Sequence, residues 1–197
     1  MVAQEFIEFL ASTDVVNWKN PKIQFKAGEL ASGCKDDAQK ARWIFEWVRD
    51  EIKHSHDYSL NPVTFSASEV LEHGTGFCYA KSHLLVACLR ASGIPGGFCY
   101  QRVRDKEGNY YLHGYCAVHL KGFGWYRMDA RGNKPGVDAQ FTPPAEKLAY
   151  TTRQVGEWDD PRVRPEPLRE VIQALRTYPT WDQLLANIPD LPNIPPF

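Results

Sequence analysis

Cys78 is placed where a thiol can act as a nucleophile. It follows Gly74-Thr75-Gly76-Phe77 and opens a helical stretch that runs to about residue 91. Unpaired N–H groups and the dipole at a helix N-terminus favour a thiolate over a thiol. The same N–H groups can hold an oxyanion on a substrate carbonyl. Gly76 leaves room for a substrate to approach closely, with Phe77 beside it. Taken alone, Cys78 fits a small buried hydrophobe equally well. That second reading suits Cys88, on the apolar face of the same helix, and Cys116 and Cys99, within apolar strands; Cys34 follows Gly33 in a loop.

A nucleophilic thiol needs a base, and the base needs a group that orients it. Residues 110–120 supply His113 and His119, six apart, an even spacing that puts both on one face of a strand. The next strand ends in Asp129, and Gly122 and Gly124 make the intervening turn. Asp129 can therefore lie beside His113, hold its tautomer and stabilise its cation. Each residue also has an ordinary reading: a half-buried strand histidine, and an aspartate capping the turn at Ala130-Arg131-Gly132. The combination carries the inference.

The elements that must position these groups are legible from periodicity. Ala38, Ala41, Ile44, Phe45, Val48 and Ile52 recur at helical spacing, which predicts an amphipathic helix from about 35 to 54. Ser66 or Ser68 can cap a short helix stopped by Gly74. The nucleophile helix has Leu84, Leu85, Cys88 and Leu89 as its apolar face and ends at Gly93, with Pro95 beyond. Residues 98–103, 110–120 and 125–128 then alternate like sequential antiparallel strands joined by short polar links. Helices followed by strands predict an α+β fold. Residues 1–34 read as an anchoring segment, with Phe6, Phe9 and Leu10 as its apolar part and a turn at Asn20-Pro21. Residues 35–155 form the core. Residues 156–197 extend the same domain with short helices at about 168–175 and 181–188 and a loose, proline-rich tail.

The composition excludes other function classes. Net charge is −1, so no basic patch points to nucleic acid. The longest apolar run, residues 84–89, falls far short of the ~20 residues of a membrane span. The N-terminus has no basic head before its apolar residues, which argues against a secretory signal and for a cytoplasmic protein. Five cysteines are an odd number with no disulfide framework and no C-x-x-C pair. No cofactor is expected. His54-Ser55-His56-Asp57 can present two histidines on one face to a metal, but such a cluster is more often a polar loop, and no metal site is assigned. Nothing addresses the oligomeric state.

Three blocks resemble the transglutaminase-like superfamily, which shares the papain-like core. Residues 74–95, from Gly74 through Cys78 to Gly93-Ile94-Pro95, are similar to its nucleophile helix. His113-Gly114-Tyr115-Cys116-Ala117-Val118 stands for its His-Ala-Trp-x-Glu-Val, and Gly124-Trp125-Tyr126-Arg127-Met128-Asp129 resembles its Gly-Trp-x-x-x-Asp. The resemblance covers roughly residues 35–135. It implies a nucleophile helix packed on an antiparallel sheet. It also implies a catalytic triad of Cys78, His113 and Asp129 that transfers acyl groups from peptide or protein amides to water or an amine. His54, His56 and Tyr58 are candidates for a second oxyanion donor, and Tyr115 and Trp125 for substrate contacts. Gly114, Tyr115 and Ala117, and the Ala130-Arg131-Gly132 that replaces Pro-Thr, depart from the family pattern and bear on substrate preference. His119 matches no triad position. The glycine- and arginine-rich motif of arylamine N-acetyltransferases and the zinc cysteines of peptide N-glycanases are absent. A domain that kept the fold as a binding scaffold and lost activity is the alternative.

Overall fold

The structure, a computed structural model, describes residues 4–196. Asn20 and Pro21 start a helix. The Asn20 side chain accepts from the Lys22 N–H, and Pro21 sits in the first turn of α1 (Pro21–Ala31). An asparagine N-cap followed by proline is a helix start, because proline lacks an N–H that would be unsatisfied there anyway. The turn expected here is present, closed by the Asn20 N–H on Asn17 O at 2.9 Å, and it leads into a helix of 11 residues that the sequence pattern did not announce.

Helix α2 (Asp37–Glu51) buries Ala41, Ile44, Phe45 and Val48, as its periodicity predicts, and is capped by Asp36. A two-residue strand β1 (Lys53–His54) and one turn of helix α3 (Ser55–Tyr58) follow. Helix α4 (Ala67–His73) has a capping box of Ser66 and Glu69 and stops at Gly74, whose φ of 64° is left-handed. Strand β2 (Thr75–Gly76) pairs in parallel with β1 and leads into α5 (Cys78–Ala91).

Helix α5 differs from the amphipathic helix expected. Thirteen of its 14 residues are buried, because α1, α2 and α4 pack on one side and strands β3 and β4 on the other. Its buried polar side chains are tied down. Lys81 Nζ donates to the carbonyls of Arg49 (3.2 Å) and Ile52, which holds the end of α2. His83 bonds Phe65 O at 2.7 Å. Arg90 donates to Ala11 O at 2.7 Å and to Gly96 O and Pro165 O. The helix has no side-chain N-cap, so packing positions it. Each fully buried Leu or Val contributes roughly 1.5–3 kcal/mol.

The main sheet has the order β5-β4-β3-β8 and is antiparallel throughout. It comprises β3 (Gly96–Arg104), β4 (Tyr110–Leu120), β5 (Gly124–Met128) and, after the hairpin of β6 (Gln140–Thr142) and β7 (Ala145–Lys147), the short edge strand β8 (Trp158–Asp159). The α+β architecture stands. The sequence showed no alternation for β6, β7 or β8, which are only two or three residues long. Helices α6 (Arg169–Thr177) and α7 (Trp181–Ala186) close the domain. One contiguous apolar core runs from Val15 to Leu184. Near the N-terminus, Phe6 packs against His119 with ring centroids 4.3 Å apart, and Phe9 against Trp125 at 4.7 Å, both pairs tilted. Among the described residues, no helix is long and apolar enough to cross a membrane.

Candidate active site

Cys78 is the first residue of α5, and β1 holds it from the side. The β1–β2 pair aligns His54 with Gly76, two residues ahead of the cysteine. Hydrogen bonds from Thr75 Oγ1 to Lys53 O (3.0 Å) and from Thr64 Oγ1 to Thr75 O (2.9 Å) fix that pair. This alignment brings His54 Nε2 to 3.1 Å from the Cys78 nitrogen, where it accepts the backbone N–H. The N–H expected to face an oxyanion is therefore engaged by an imidazole. Accepting through Nε2 puts the proton of the neutral ring on Nδ1, which is buried without a partner among the described residues. Burial, reinforced by the Arg131 charge, holds the His54 pKa well below its ordinary value, so the ring is neutral.

His113 comes from the middle of β4. Its Nε2 lies 2.7 Å from Asp129 Oδ2, and the Cys78 thiol is a hydrogen-bonding neighbour of the ring. Tyr115 stacks parallel to the ring at 6.1 Å, and Tyr150 meets it edge-on at 4.8 Å. The imidazole is only 1% exposed. Burial works against its cation, yet Asp129 and Cys78 outweigh burial and hold its pKa well above the ordinary value.

Asp129 directly follows β5 and is also 1% exposed. Oδ2 accepts from His113 and from the Ala149 N–H (3.2 Å), and Oδ1 from the Arg131 N–H (3.0 Å). Burial would raise its pKa, but the His113 charge and these donors keep it below the usual value. Asp57 bonds the Arg131 guanidinium and Lys134 Nζ (2.6 Å), which fastens the loop after Asp129 to α3.

Cys78 and His113 open onto a cleft of about 570 Å³. Of the residues singled out in the sequence, Cys78, His113, His54, His56 and Phe77 border it. Five do not: Asp129, which lies behind His113, and Gly76, Tyr58, Tyr115 and Trp125. Gly76 faces inward: a Cβ there would lie 3.0 Å from Ala80 Cβ and 3.1 Å from Thr64 Oγ1, so its smallness serves packing. Tyr58 is 60% exposed on α3, with Lys53 over its ring. Tyr115 shares a strand face with His113 but lies beneath it, with its hydroxyl on Asp159 at 2.6 Å. Trp125 is the second residue of β5, roughly 13 Å along the chain direction from Asp129 just past its end, and packs with Phe6, Phe9 and His119. The His54-Ser55-His56-Asp57 cluster does not converge. His54 faces Cys78, His56 stacks on Trp181, and Asp57 pairs with Arg131 and Lys134.

Residues bordering the cleft that sequence reasoning missed include Tyr111, Arg131, Tyr150, Leu185 and Ile188. Tyr111 shares the strand parity of His113, a signal that was available. Tyr150 and Leu185 arrive from segments without a motif.

A model of the transglutaminase-like superfamily matches residues 24–130, more than half of the chain. No curated protein matches it in sequence. Among solved structures, a candidate cysteine protease from Cytophaga hutchinsonii is 21% identical, with a TM-score of 0.55 over 65% of this chain and 42% of that one. The periplasmic domain of TgpA from Pseudomonas aeruginosa is 20% identical, with a TM-score of 0.46 over 62% of this chain and 45% of that one. The matched regions span less than half of either structure, and the first shows a shared fold.

Proposed function

Because the chain belongs to the transglutaminase-like superfamily, we propose that it is a cysteine-dependent acyl-transfer enzyme acting on amide bonds of peptides. Cys78 is the nucleophile, His113 the proton carrier and Asp129 the carboxylate that orients it. The observation that carries this reading is the buried relay in which His113 bonds Asp129 at 2.7 Å and neighbours the Cys78 thiol. A raised His113 pKa favours the imidazolium that must later give its proton to the leaving amine.

The sulfur attacks the amide carbonyl, a C–S bond forms, and the carbonyl electron pair moves to oxygen. His113 passes its proton to the amide nitrogen, the C–N bond breaks and the amine leaves. Water or a second amine then attacks the thioester, gives its proton to His113 and releases the thiolate. For the oxyanion, the Cys78 N–H becomes a donor once His54 Nε2 releases it.

One observation favours the alternative of an inactive scaffold: the Cys78 N–H is occupied by His54 in this conformation. Mass spectrometry after incubation with a peptide-amide library separates the two. An enzyme gives an acyl adduct on Cys78, whose nature with and without added amine tells hydrolysis from transamidation. A scaffold gives none with any peptide. We place the protein in the cytoplasm on its five free cysteines; recovery in a secreted or periplasmic fraction overturns that.

A further inference from the structure

Strand β4 pairs with β3 along residues 110–118 but with β5 only from Cys116 onward. Its first half therefore has an open edge, and that edge borders the cleft at Tyr110, Tyr111, Leu112 and His113. Leu112 turns both backbone groups outward. Its carbonyl accepts from the Tyr79 hydroxyl, and its N–H donates to Pro189 O at 2.7 Å. An exposed edge next to a nucleophile is where an extended peptide would add as a further strand. Here the chain's own segment has taken the place.

That segment is fastened at both ends and in the middle. The Trp181 N–H donates to Asn61 Oδ1 at 2.8 Å, and the indole stacks on His56 with centroids 6.1 Å apart. Leu185 and Ile188 border the cleft. Beyond Pro189, Asp190 makes a bidentate pair with Arg102 at 2.5 and 2.8 Å. Trp158 Nε1 holds Leu191 O at 2.8 Å, and Arg164 holds Pro196 O at 2.7 Å. The loose tail expected from the proline-rich sequence is instead a strap. Most of its fastenings use strap carbonyls, and Asp190 is its one side chain in an ion pair among the described residues.

We infer that residues 181–196 set the substrate class of the Cys78 site. The strap withholds the Leu112 edge from extended polypeptides and leaves a cleft that takes a short peptide or a small amide. The inference rests on Cys78 being the nucleophile. A volume of about 570 Å³ lies within the ~300–1,000 Å³ range of sites that enclose a small ligand. Lifting the strap would return the Leu112 N–H to a longer chain.

Three thiol probes test this on the full chain: iodoacetamide, a dipeptidyl vinyl sulfone, and a capped decapeptide with an internal vinyl sulfone. In the wild type, the decapeptide should alkylate Cys78 at least tenfold more slowly than the dipeptide. D190K, which sets a cation against Arg102, should speed the decapeptide at least tenfold and leave the iodoacetamide rate within twofold. D190N serves if D190K lowers the unfolding temperature sharply, with the same direction expected. Equal wild-type rates for the two peptides overturn the inference. So does a loosened strap that leaves the decapeptide slow or accelerates all three probes alike. Absence of iodoacetamide reaction at Cys78 in the wild type is a separate result that removes the nucleophile itself.

Discussion

Replacing Asp129 with Asn keeps the shape of the carboxylate and removes one acceptor. The carboxylate serves three donors: His113 Nε2–H and Ala149 N–H on Oδ2, and Arg131 N–H on Oδ1. Asparagine has one oxygen. If that oxygen stays on Arg131, its NH2 faces His113 and Ala149. His113 can adapt by moving its proton to Nδ1, which makes Nε2 an acceptor. The Ala149 N–H cannot adapt, and leaving it unpaired costs roughly 1–3 kcal/mol. The flipped amide instead orphans the Arg131 N–H, at a similar cost. Stability should therefore fall by a few degrees in Tm for a chain of this size. Activity should suffer more. The adapted tautomer points Nδ1–H at the Cys78 sulfur and can no longer take its proton, and lost proton transfer costs about 10²–10⁴ in rate. The alkaline limb of the pH–rate profile should also move to lower pH, because the carboxylate that raises the His113 pKa is gone. The assay is kcat/KM on a reactive peptide amide against pH, alongside thermal unfolding. Turnover within twofold of wild type would refute the role assigned to Asp129.

Gly114→Ala should lower both stability and the alkylation rate of Cys78. A Cβ there would lie 2.7 Å from Tyr79 Cδ1, and the Tyr79 ring is anchored through its hydroxyl to Leu112 O. Overpacking of this kind costs about 1–3 kcal/mol and displaces the residue next to the nucleophile. Unchanged Tm and rate would contradict it. Lys81→Met tests the buried cation that holds the end of α2. Burial pulls the Lys81 pKa down from 10.5 to about 7, so between those values the unfolded chain binds more protons than the folded one. The stability of wild type relative to K81M should therefore rise with pH from 7 toward 10, by at most about 1.4 kcal/mol per pH unit. A flat difference in chemical denaturation across that range would show that Lys81 does not titrate in this window.

Much of the site was legible because its signals are local. The Gly-Thr-Gly-Phe-Cys turn, the alternation of β4 and the glycines before β5 each act over a few residues, and together they bring His113 and Asp129 within hydrogen-bonding distance. What was not legible depends on long-range packing. Helix α5 carries polar residues on what looked like a solvent face, and only the partners of Lys81, His83 and Arg90, drawn from four distant segments, explain them. Trp125 lies away from the cleft because a place in a motif block does not fix a side chain's distance from the site. The strap was read as loose because proline-rich sequence lacks periodicity. Its bonds run to Arg102, Trp158 and Arg164, which nothing in its own residues announces.

The account depends on one of five thiols differing from the rest. The direct measurement is site-resolved mass spectrometry of the native protein after brief exposure to iodoacetamide at pH 6.5. Burial pushes the Cys88 thiol up to about 12 and raises those of Cys99 and Cys116 as well. We predict that Cys78 carries nearly all of the label, that the label is lost in C78A, and that Cys78 labelling falls at least tenfold in H113A. Preferential labelling of another cysteine, or a Cys78 rate indifferent to the loss of His113, would contradict it.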